Sequence, residues 1–275
     1  ANRLGHVPAE LLGKAATSWL EGHAEERFFA YLHFLEPHDP YTPPEPFASR
    51  FEGQERISKM MAAYDGNLAY VDSVVGEVLS ELKRLDLVEK SVIVVMSDHG
   101  EAFGEHGRLG HSDTIYEETA RIPLAIRLPR ACGVAPGRRS GIVSTIDLMP
   151  TLLDMFGIEP PPTVQGESEL GLVASERAGK RRFAVARSRG LDKTGGAERP
   201  VEGIYALIGE RYTLMLGKRG RLVELYDREQ DPGQKRDIAD ENEKLVAELM
   251  RSFEEWAETQ PMRPVVLPGG DARGS

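Results

Sequence analysis

An aspartate and a histidine that directly follow an apolar run are the residues best suited to chemistry. Asp98 and His99 come after the stretch "SVIVVMS", and Gly100 follows them. A carboxylate oxygen beside an imidazole nitrogen suits a divalent cation of the magnesium, manganese, calcium or zinc group. Gly100 lets the backbone bend so that both neighbours turn toward one ion. The alternative is that Asp98 caps a helix and His99 is a solvated loop residue.

Histidines are dense in the loops near this pair, which favours the chemical interpretation. His99, His106 and His111 fall within thirteen residues, and His38 lies in the proline-rich stretch "LEPHDPYTPPEPF". A histidine in such a loop can act as a general acid, because its unperturbed pKa is about 6.5. Each of them alone is typical of a surface residue. We expect one or two to be bystanders, His106 first among them.

Alternating apolar segments predict an α/β layered sheet that would position these residues. Continuous β-branched and aromatic runs predict buried strands, with "SVIVVMS" covered on both faces. Apolar residues at three- and four-residue spacing predict helices. Ligands of open parallel sheets bind where strands give way to loops, which is where Asp98 and His99 stand. The predicted strands are 28–34, 91–97 and 122–129, the helices are 14–26, 57–85 and 144–157, and 101–115 is a loop.

The composition changes near residues 170–180, where we place a boundary. The later segment "GIYALIGERYTLMLGKRGRLVELYD" alternates between apolar and polar residues and is interrupted by glycines, which predicts a three-stranded antiparallel meander. The segment "DENEKLVAELMRSFEEWAE" predicts an amphipathic helix after it. A main α/β body would therefore precede a small antiparallel sheet with one helix.

Composition excludes several classes of function. The chain has 44 acidic and 34 basic residues, a net charge of −10, which argues against a nucleic-acid partner. One cysteine, Cys132, excludes an internal disulfide framework. The densest apolar run, Val92–Met96, is far shorter than the ~20 residues of a membrane span, so no membrane partner is expected. We expect a soluble protein, cytoplasmic or periplasmic, and the sequence does not decide between them.

Five segments in a fixed order carry a family resemblance: "FFAYLHFLEPHDPYTPP", "YDGNLAYVDSVVGEVLSEL", "VIVVMSDHGEAFGEHGRLGHSDTIYEETARIPLAI", "STIDLMPTLLDMFGIEPP" and "ELYDREQDPGQKRDIADENEKLVAELMRSFEEW". Together they resemble the carboxy-terminal two-thirds of a sulfatase of the alkaline phosphatase superfamily. The resemblance implies an α/β sandwich around a mostly parallel sheet, with a small antiparallel carboxy-terminal subdomain and one helix. Residues 1–175 would be an incomplete catalytic domain, and residues 176–275 that subdomain.

The resemblance also implies roles for four residues. Asp98 and His99 match two ligands of a single divalent metal, for which calcium is the first expectation and manganese, magnesium or zinc are alternatives. Many sulfatases carry asparagine where this chain has His99, and the imidazole shifts the preference toward transition metals. His38 matches a histidine that contacts the ester and helps protonate the leaving alcohol. His111 stands where many sulfatases have a lysine that binds the sulfate oxygens.

The nucleophile that the family uses does not occur in these 275 residues. It is a cysteine or serine in Cys/Ser-x-Pro-Ser-Arg that is oxidised to formylglycine, and "RACGVAPGRR" around Cys132 does not match that pattern. We therefore expect this chain to be part of a metal-dependent sulfuric ester hydrolase, with formylglycine on an upstream segment. By itself the chain would turn over no ester, and an exposed sheet edge would promote self-association.

The expected substrate is a small-molecule or saccharide sulfate ester. Two alternatives stay open. One is a phosphonate or phosphate monoesterase, or a phosphoryl transferase, of the same superfamily. The other is a noncatalytic binding relative.

Overall fold

A computed structural model describes residues 7–112, 114–175, 179, 181–188, 191–192, 199–200, 203–217 and 222–259. The helices are α1 (Ala9–Gly22), α2 (Arg56–Arg84), α3 (Glu117–Ala120), α4 (Leu148–Met155), α5 (Leu170–Ala174) and α6 (Glu243–Thr259). The strands are β1 (Ile93–Met96), β2 (Ala102–Phe103), β3 (Leu109–Gly110), β4 (Leu124–Arg127), β5 (Phe183–Ser188), β6 (Leu191–Asp192), β7 (Arg199–Pro200), β8 (Ile204–Gly209), β9 (Tyr212–Leu216) and β10 (Val223–Asp227).

These elements fall into two units. The first comprises the chain up to Met96 together with Leu124–Gly133, and the second comprises the remaining residues. The predicted boundary at residue 175 concerns the domains of the family and stays a prediction.

Two helices build the core of the first unit. α2 begins with a capping box in which the Ser58 hydroxyl accepts a hydrogen bond from the Glu55 amide at 3.0 Å. Its apolar stripe packs against α1, as the helical periodicity predicts. The buried core comprises Ala16, Leu20, Val78, Leu82 and Leu87. The helix predicted over 57–85 is thereby confirmed, and the one predicted over 14–26 begins earlier, at Ala9.

The strand predicted over 28–34 is wrong. No described strand pairs with this segment. Phe29 and Tyr31 face solvent, 83% and 75% exposed, while Phe28 packs against the core of the first unit. An apolar run becomes a strand only where a neighbouring strand takes its backbone hydrogen bonds, and the sequence of the run cannot supply that neighbour.

The strand predicted from "SVIVVMS" forms as β1, and the one predicted over 122–129 forms as β4. They pair antiparallel, with Ile93 opposite Arg127. Val95 is 50% exposed, so the predicted cover on both faces is wrong for the described residues. All described pairings are antiparallel, and the mostly parallel sheet stays a prediction.

A four-stranded antiparallel sheet, in the order β10-β9-β8-β5, forms the centre of the second unit. The predicted meander accounts for β8, β9 and β10, and α6 confirms the predicted terminal helix. β5 was not predicted from the sequence. Because successive side chains point to opposite faces, this sheet buries two apolar sets. One face carries Leu207, Leu214 and Leu225 under Phe253 of α6, and the other carries Ala206, Met215 and Tyr226 under Ile115.

The region predicted as a loop over 101–115 contains a hairpin, which we call the site hairpin (Ala102–Gly110). β2 pairs with β3 through Ala102–Gly110 and Phe103–Leu109. The amide of Gly100, just before it, donates to the Thr119 carbonyl of α3 at 2.9 Å. A Cβ on Gly100 would lie 2.1 Å from the Glu118 carbonyl oxygen, so only glycine allows this close approach.

A buried ion pair secures the start of α4. Ser144 precedes a 3-10 turn over Thr145–Asp147 that leads into the helix. Asp147 is fully buried, and its Oδ2 accepts hydrogen bonds from the Ser144 amide at 2.8 Å and from Arg181 Nε at 2.7 Å. Its Oδ1 accepts from the Glu167 amide at 2.9 Å and from Arg181 Nη2. Both carboxylate oxygens are therefore paired, as a buried charge requires.

Arg181→Met is expected to lower the free energy of unfolding by about 3–5 kcal/mol, because it leaves the buried Asp147 carboxylate without its counter-charge. Urea denaturation of the chain measures this loss. The control is the adjacent Arg182→Met, whose side chain is exposed and should change stability by less than about 0.5 kcal/mol. Equal losses in the two variants would contradict a special role for the ion pair.

Gly100→Ala is expected to cost about 1–3 kcal/mol, because the added methyl group must push Glu118 away from the Asp98–His99 segment. Thermal unfolding measures the cost. The control is Gly76→Ala in α2, where an added Cβ meets nothing within 4 Å and alanine should be neutral or stabilising by up to about 1 kcal/mol. A stability for Gly100→Ala at or above that of the unchanged chain would refute the clash.

Candidate active site

Asp98 and His99 bring two metal-ligating atoms close together. Asp98 Oδ2 and His99 Nε2 lie 3.8 Å apart, a spacing that one cation between them could bridge. Asp98 Oδ1 accepts a hydrogen bond from the His99 backbone amide at 3.0 Å, which orients the carboxylate. The Asp98 side chain is 72% exposed, so a ligand can reach it.

The imidazole of His99 is held in the tautomer that a metal ligand needs. Its Nδ1 donates to the Gly100 carbonyl at 2.8 Å, so in the neutral ring Nε2 carries the lone pair. The Ser97 hydroxyl donates to the His99 carbonyl at 2.9 Å and restrains the backbone of the same residue. The donor chemistry of Asp98 and His99 therefore fits a divalent cation.

His111 and Glu101 face each other at the open end of the site hairpin. The hairpin register pairs Ala102 with Gly110, so the two residues just outside that pair are brought together. His111 Nδ1 donates to Glu101 Oε1 at 3.1 Å, and the Glu101 side chain is only 5% exposed. A buried carboxylate on Nδ1 fixes the orientation of the ring. The His111 ring also stacks on His99, with ring centroids 3.8 Å apart and planes at 25°.

The structure thus brings together three of the four predicted site residues, Asp98, His99 and His111. His38 belongs to the first unit and is described there by itself. It is exposed in the proline-rich loop, and its Nδ1 donates to the Asp39 carbonyl at 2.6 Å. The roles of all four residues stay predictions.

A polar cluster that was not predicted from the sequence includes the turn of the site hairpin. It consists of His106, Tyr116, Glu118, Glu224 and Tyr226. The His106 ring stacks on Tyr116 with centroids 3.7 Å apart and planes at 7°. Both tyrosine hydroxyls donate to Glu224 Oε2, each at 2.9 Å. Burial and these hydrogen bonds raise the pKa of Tyr116 to about 12 and raise the pKa of Tyr226 as well.

The hydrogen bonds of Glu101 and His106 were not predicted from the sequence. Glu101 Oε1 pairs with His111, and His106 Nδ1 lies 2.8 Å from Glu118 Oε1. That His106 is a bystander of the chemistry stays a prediction. The glycines at 104, 107 and 110 are the signal that could have revealed the hairpin, since all three take positive φ. A hairpin around residues 104–107 would have predicted that Glu101 and His111 meet.

The described residues contain no group of three or more histidine, cysteine, aspartate or glutamate side chains arranged to hold a metal ion. Asp98 and His99 form a pair, and a stable site for a divalent cation needs further ligands. None of the helices in the described part of the chain is long and apolar enough to cross a bilayer.

Two family models match the chain. The model described as "Sulfatase" matches residues 2–158, more than half of the chain. The model described as "N-sulphoglucosamine sulphohydrolase, C-terminal" matches residues 104–259.

Curated relatives match a shorter stretch. Arylsulfatase K of Mus musculus is 33% identical over 135 residues, 49% of this chain and 24% of that protein. Choline-sulfatase of Rhizobium meliloti is 36% identical over 123 residues, 44% of this chain and 22% of that protein. The matched stretch thus spans about a quarter of each relative's length.

Solved structures match most of the chain. A crystal structure described as a putative sulfatase from Bacteroides fragilis is 25% identical with a TM-score of 0.78, and the match covers 91% of this chain and 58% of that one. A structure in complex with its substrate D-glucosamine-2-N,6-O-disulfate is 28% identical with a TM-score of 0.64, covering 76% and 43%. The phosphonate monoester hydrolase of Silicibacter pomeroyi is 23% identical with a TM-score of 0.77, covering 92% and 61%, which shows the shared fold.

The architecture is therefore that of sulfatases and phosphonate hydrolases, the alkaline-phosphatase-like fold. On the match over residues 2–158 and on this fold, the chain belongs to the sulfatase family.

Proposed function

We propose that the chain is part of a sulfatase that hydrolyses a sulfate monoester by cleaving the sulfur–oxygen bond to the alcohol. The observation that carries this proposal is the convergence of Asp98 Oδ2, His99 Nε2 and the His111 ring within one segment of the second unit. The nucleophile, a formylglycine in the family, would come from chain outside these 275 residues. The large, mostly parallel sheet of the family would likewise include strands beyond those described.

Asp98 and His99 would hold one divalent metal, with calcium as the first candidate. When bound, the metal would supply positive charge that neutralises the sulfate oxygens. Asp98 provides a carboxylate that has one oxygen already fixed by a backbone amide. His99 provides an imidazole nitrogen whose lone pair is set by its hydrogen bond to Gly100.

His111 would bind the sulfate group or deliver the proton that the leaving alcohol takes. Its Nδ1 is committed to Glu101, so its chemistry would proceed from Nε2. Glu101 would stabilise the charged ring before the proton is transferred and would keep its orientation afterwards. His38 is the second candidate for the same proton transfer, and its Nδ1 is likewise hydrogen-bonded, to the Asp39 carbonyl.

The substrate would be a small-molecule or saccharide sulfate ester. The names of two matched proteins, choline-sulfatase and the protein solved with a glucosamine disulfate, support this class. The second candidate function is hydrolysis of a phosphonate or phosphate monoester. His99 favours it, since an imidazole in the donor set suits transition metals such as manganese better than calcium.

Asp98→Asn is expected to weaken binding of Ca²⁺ or Mn²⁺ by about tenfold or more, because a charged ligand that contributes roughly 1.5–3 kcal/mol is replaced by a neutral one. Titration calorimetry with each metal, on the protein that includes the nucleophile segment, measures the change. The control is Asp72→Asn on the exposed face of α2. Unchanged affinity in Asp98→Asn would remove Asp98 from the metal site, and the tighter-binding metal would indicate which of the two activities to test first.

His111→Ala is expected to lower kcat/KM for an aryl sulfate by about 10²–10⁴-fold, the usual contribution of a general acid. The assay uses the same complete protein, with an aryl phosphonate as the second substrate. His33→Ala, at an exposed position of the first unit, is the control and should retain full activity. Full activity of His111→Ala toward both substrates would contradict the role proposed for His111, and a preference for the phosphonate would favour the second function.

A further inference from the structure

His106 occupies the turn of the site hairpin and connects it to two other parts of the second unit. Its Nδ1 lies 2.8 Å from Glu118 Oε1 of α3, and its Nε2 lies 2.8 Å from the Gln234 carbonyl oxygen. The side chain is only 15% exposed, and that of Glu118 is 14% exposed. One imidazole therefore bridges α3 and the loop that follows β10.

Both partners of His106 are acceptors, which determines its protonation state. A carbonyl oxygen can only accept, and an ionised carboxylate can only accept. A neutral imidazole has one N–H, so it can satisfy one of the two. The arrangement is complete only when His106 carries both ring protons and a positive charge.

The site hairpin itself is small. β2 and β3 form only two residue pairs, and Leu109 is 43% exposed, while Ala102 is buried at the base of the hairpin. Isolated hairpins of this size are marginal in water. The open end of the same hairpin carries Glu101 and His111, so a shift at the turn would displace this pair.

We propose that His106, as an imidazolium, is a positioning residue that fastens the site hairpin to α3 and to the Gln234 loop, and that loss of its proton releases the hairpin and the Glu101–His111 pair. The consequence for catalysis rests on the proposed function. The fastening itself concerns only the structure of this chain.

The charges around His106 determine the direction of its titration. Burial lowers the pKa of His106, but the hydrogen bonds to Gln234 and Glu118 and the charges of Glu118 and Glu224 outweigh it and raise the pKa. Tyr116, which stacks on the ring, stays neutral while His106 titrates, because its pKa is raised to about 12. The charge of Arg108 in the hairpin lowers the pKa of Tyr116 slightly against that rise. A raised pKa means that the fastening is fully present below the unfolded value of about 6.5 and is lost as the pH rises through the folded value.

Hydrogen exchange in this chain tests the fastening without any substrate. The reporter is the Gly104 amide, which donates to the Arg108 carbonyl at 2.8 Å inside the hairpin turn. His106→Ala should reduce its protection factor by about tenfold or more, because charge-assisted hydrogen bonds to two partners are lost. The amide of Leu214 in β9 reports global stability. An equal loss of protection at Leu214 would mean general destabilisation and would overturn the proposal, as would an unchanged Gly104.

Glu118→Gln distinguishes loss of the His106 proton from loss of the hydrogen bond between His106 and residue 118. The glutamine amide can donate to Nδ1, so a neutral His106 could keep both hydrogen bonds. In this variant the pKa of His106, followed by NMR of its ring, should fall, and the Gly104 protection factor should no longer decrease at alkaline pH. In the unchanged chain it should decrease as His106 deprotonates. A pH-independent Gly104 protection factor in the unchanged chain would contradict release of the hairpin on deprotonation of His106. The matched control is Glu25→Gln, at an exposed position of the first unit.

Activity of the complete protein gives an independent readout. If the site hairpin positions His111, the alkaline limb of the kcat/KM profile should move to higher pH in Glu118→Gln relative to Glu25→Gln. An unmoved limb, together with the expected exchange results, would overturn the catalytic consequence and leave the fastening in place. Absence of any esterase activity in the unchanged protein would instead contradict the proposed function.

Discussion

Pairing of buried polar groups around α3 is the constraint on which the second unit depends. This helix has four residues, too few to be stable by itself, and nearly every group on it is used by a neighbour. The Thr119 carbonyl accepts from Gly100, and the Glu117 amide donates to the Gln234 side chain at 2.7 Å. The Glu117 carboxylate accepts from Arg228 at 3.0 Å. Because an unpaired buried group is costly, these contacts of α3 hold Gly100, just before the site hairpin, and the loop after β10 in one arrangement.

Long periodic elements of this fold were predictable from the sequence, since their signals are local. α2 has its apolar stripe and cap within its own residues, and the meander of β8, β9 and β10 has glycine-marked turns between alternating strands. The Asp98–His99 pair was also predictable, because two adjacent residues after a strand share a loop whatever the rest of the chain does.

Features that depend on distant partners were not predictable in this way. Phe29 and Tyr31 belong to an apolar run whose pattern resembles that of a buried strand, yet a strand requires a second chain segment beside it. The contact of His106 with Gln234 spans 128 residues, and no spacing rule relates the two positions. Glu101 and His111 lie between these extremes, since a hairpin turn of glycines links them over ten residues.

The two faces of the four-stranded sheet are covered by distant parts of the chain. One face is covered by α6, and the other by Ile115 and the segment that follows the site hairpin. Residues 183–227 cut out alone would therefore expose Ala206, Met215 and Tyr226, because the cover of that face comes from far upstream in the chain. The two family models overlap over residues 104–158, which include this upstream cover. The sheet and the segment with Asp98, His99 and His111 thus belong to one compact unit, and a chain that begins after that segment would present an apolar face to water.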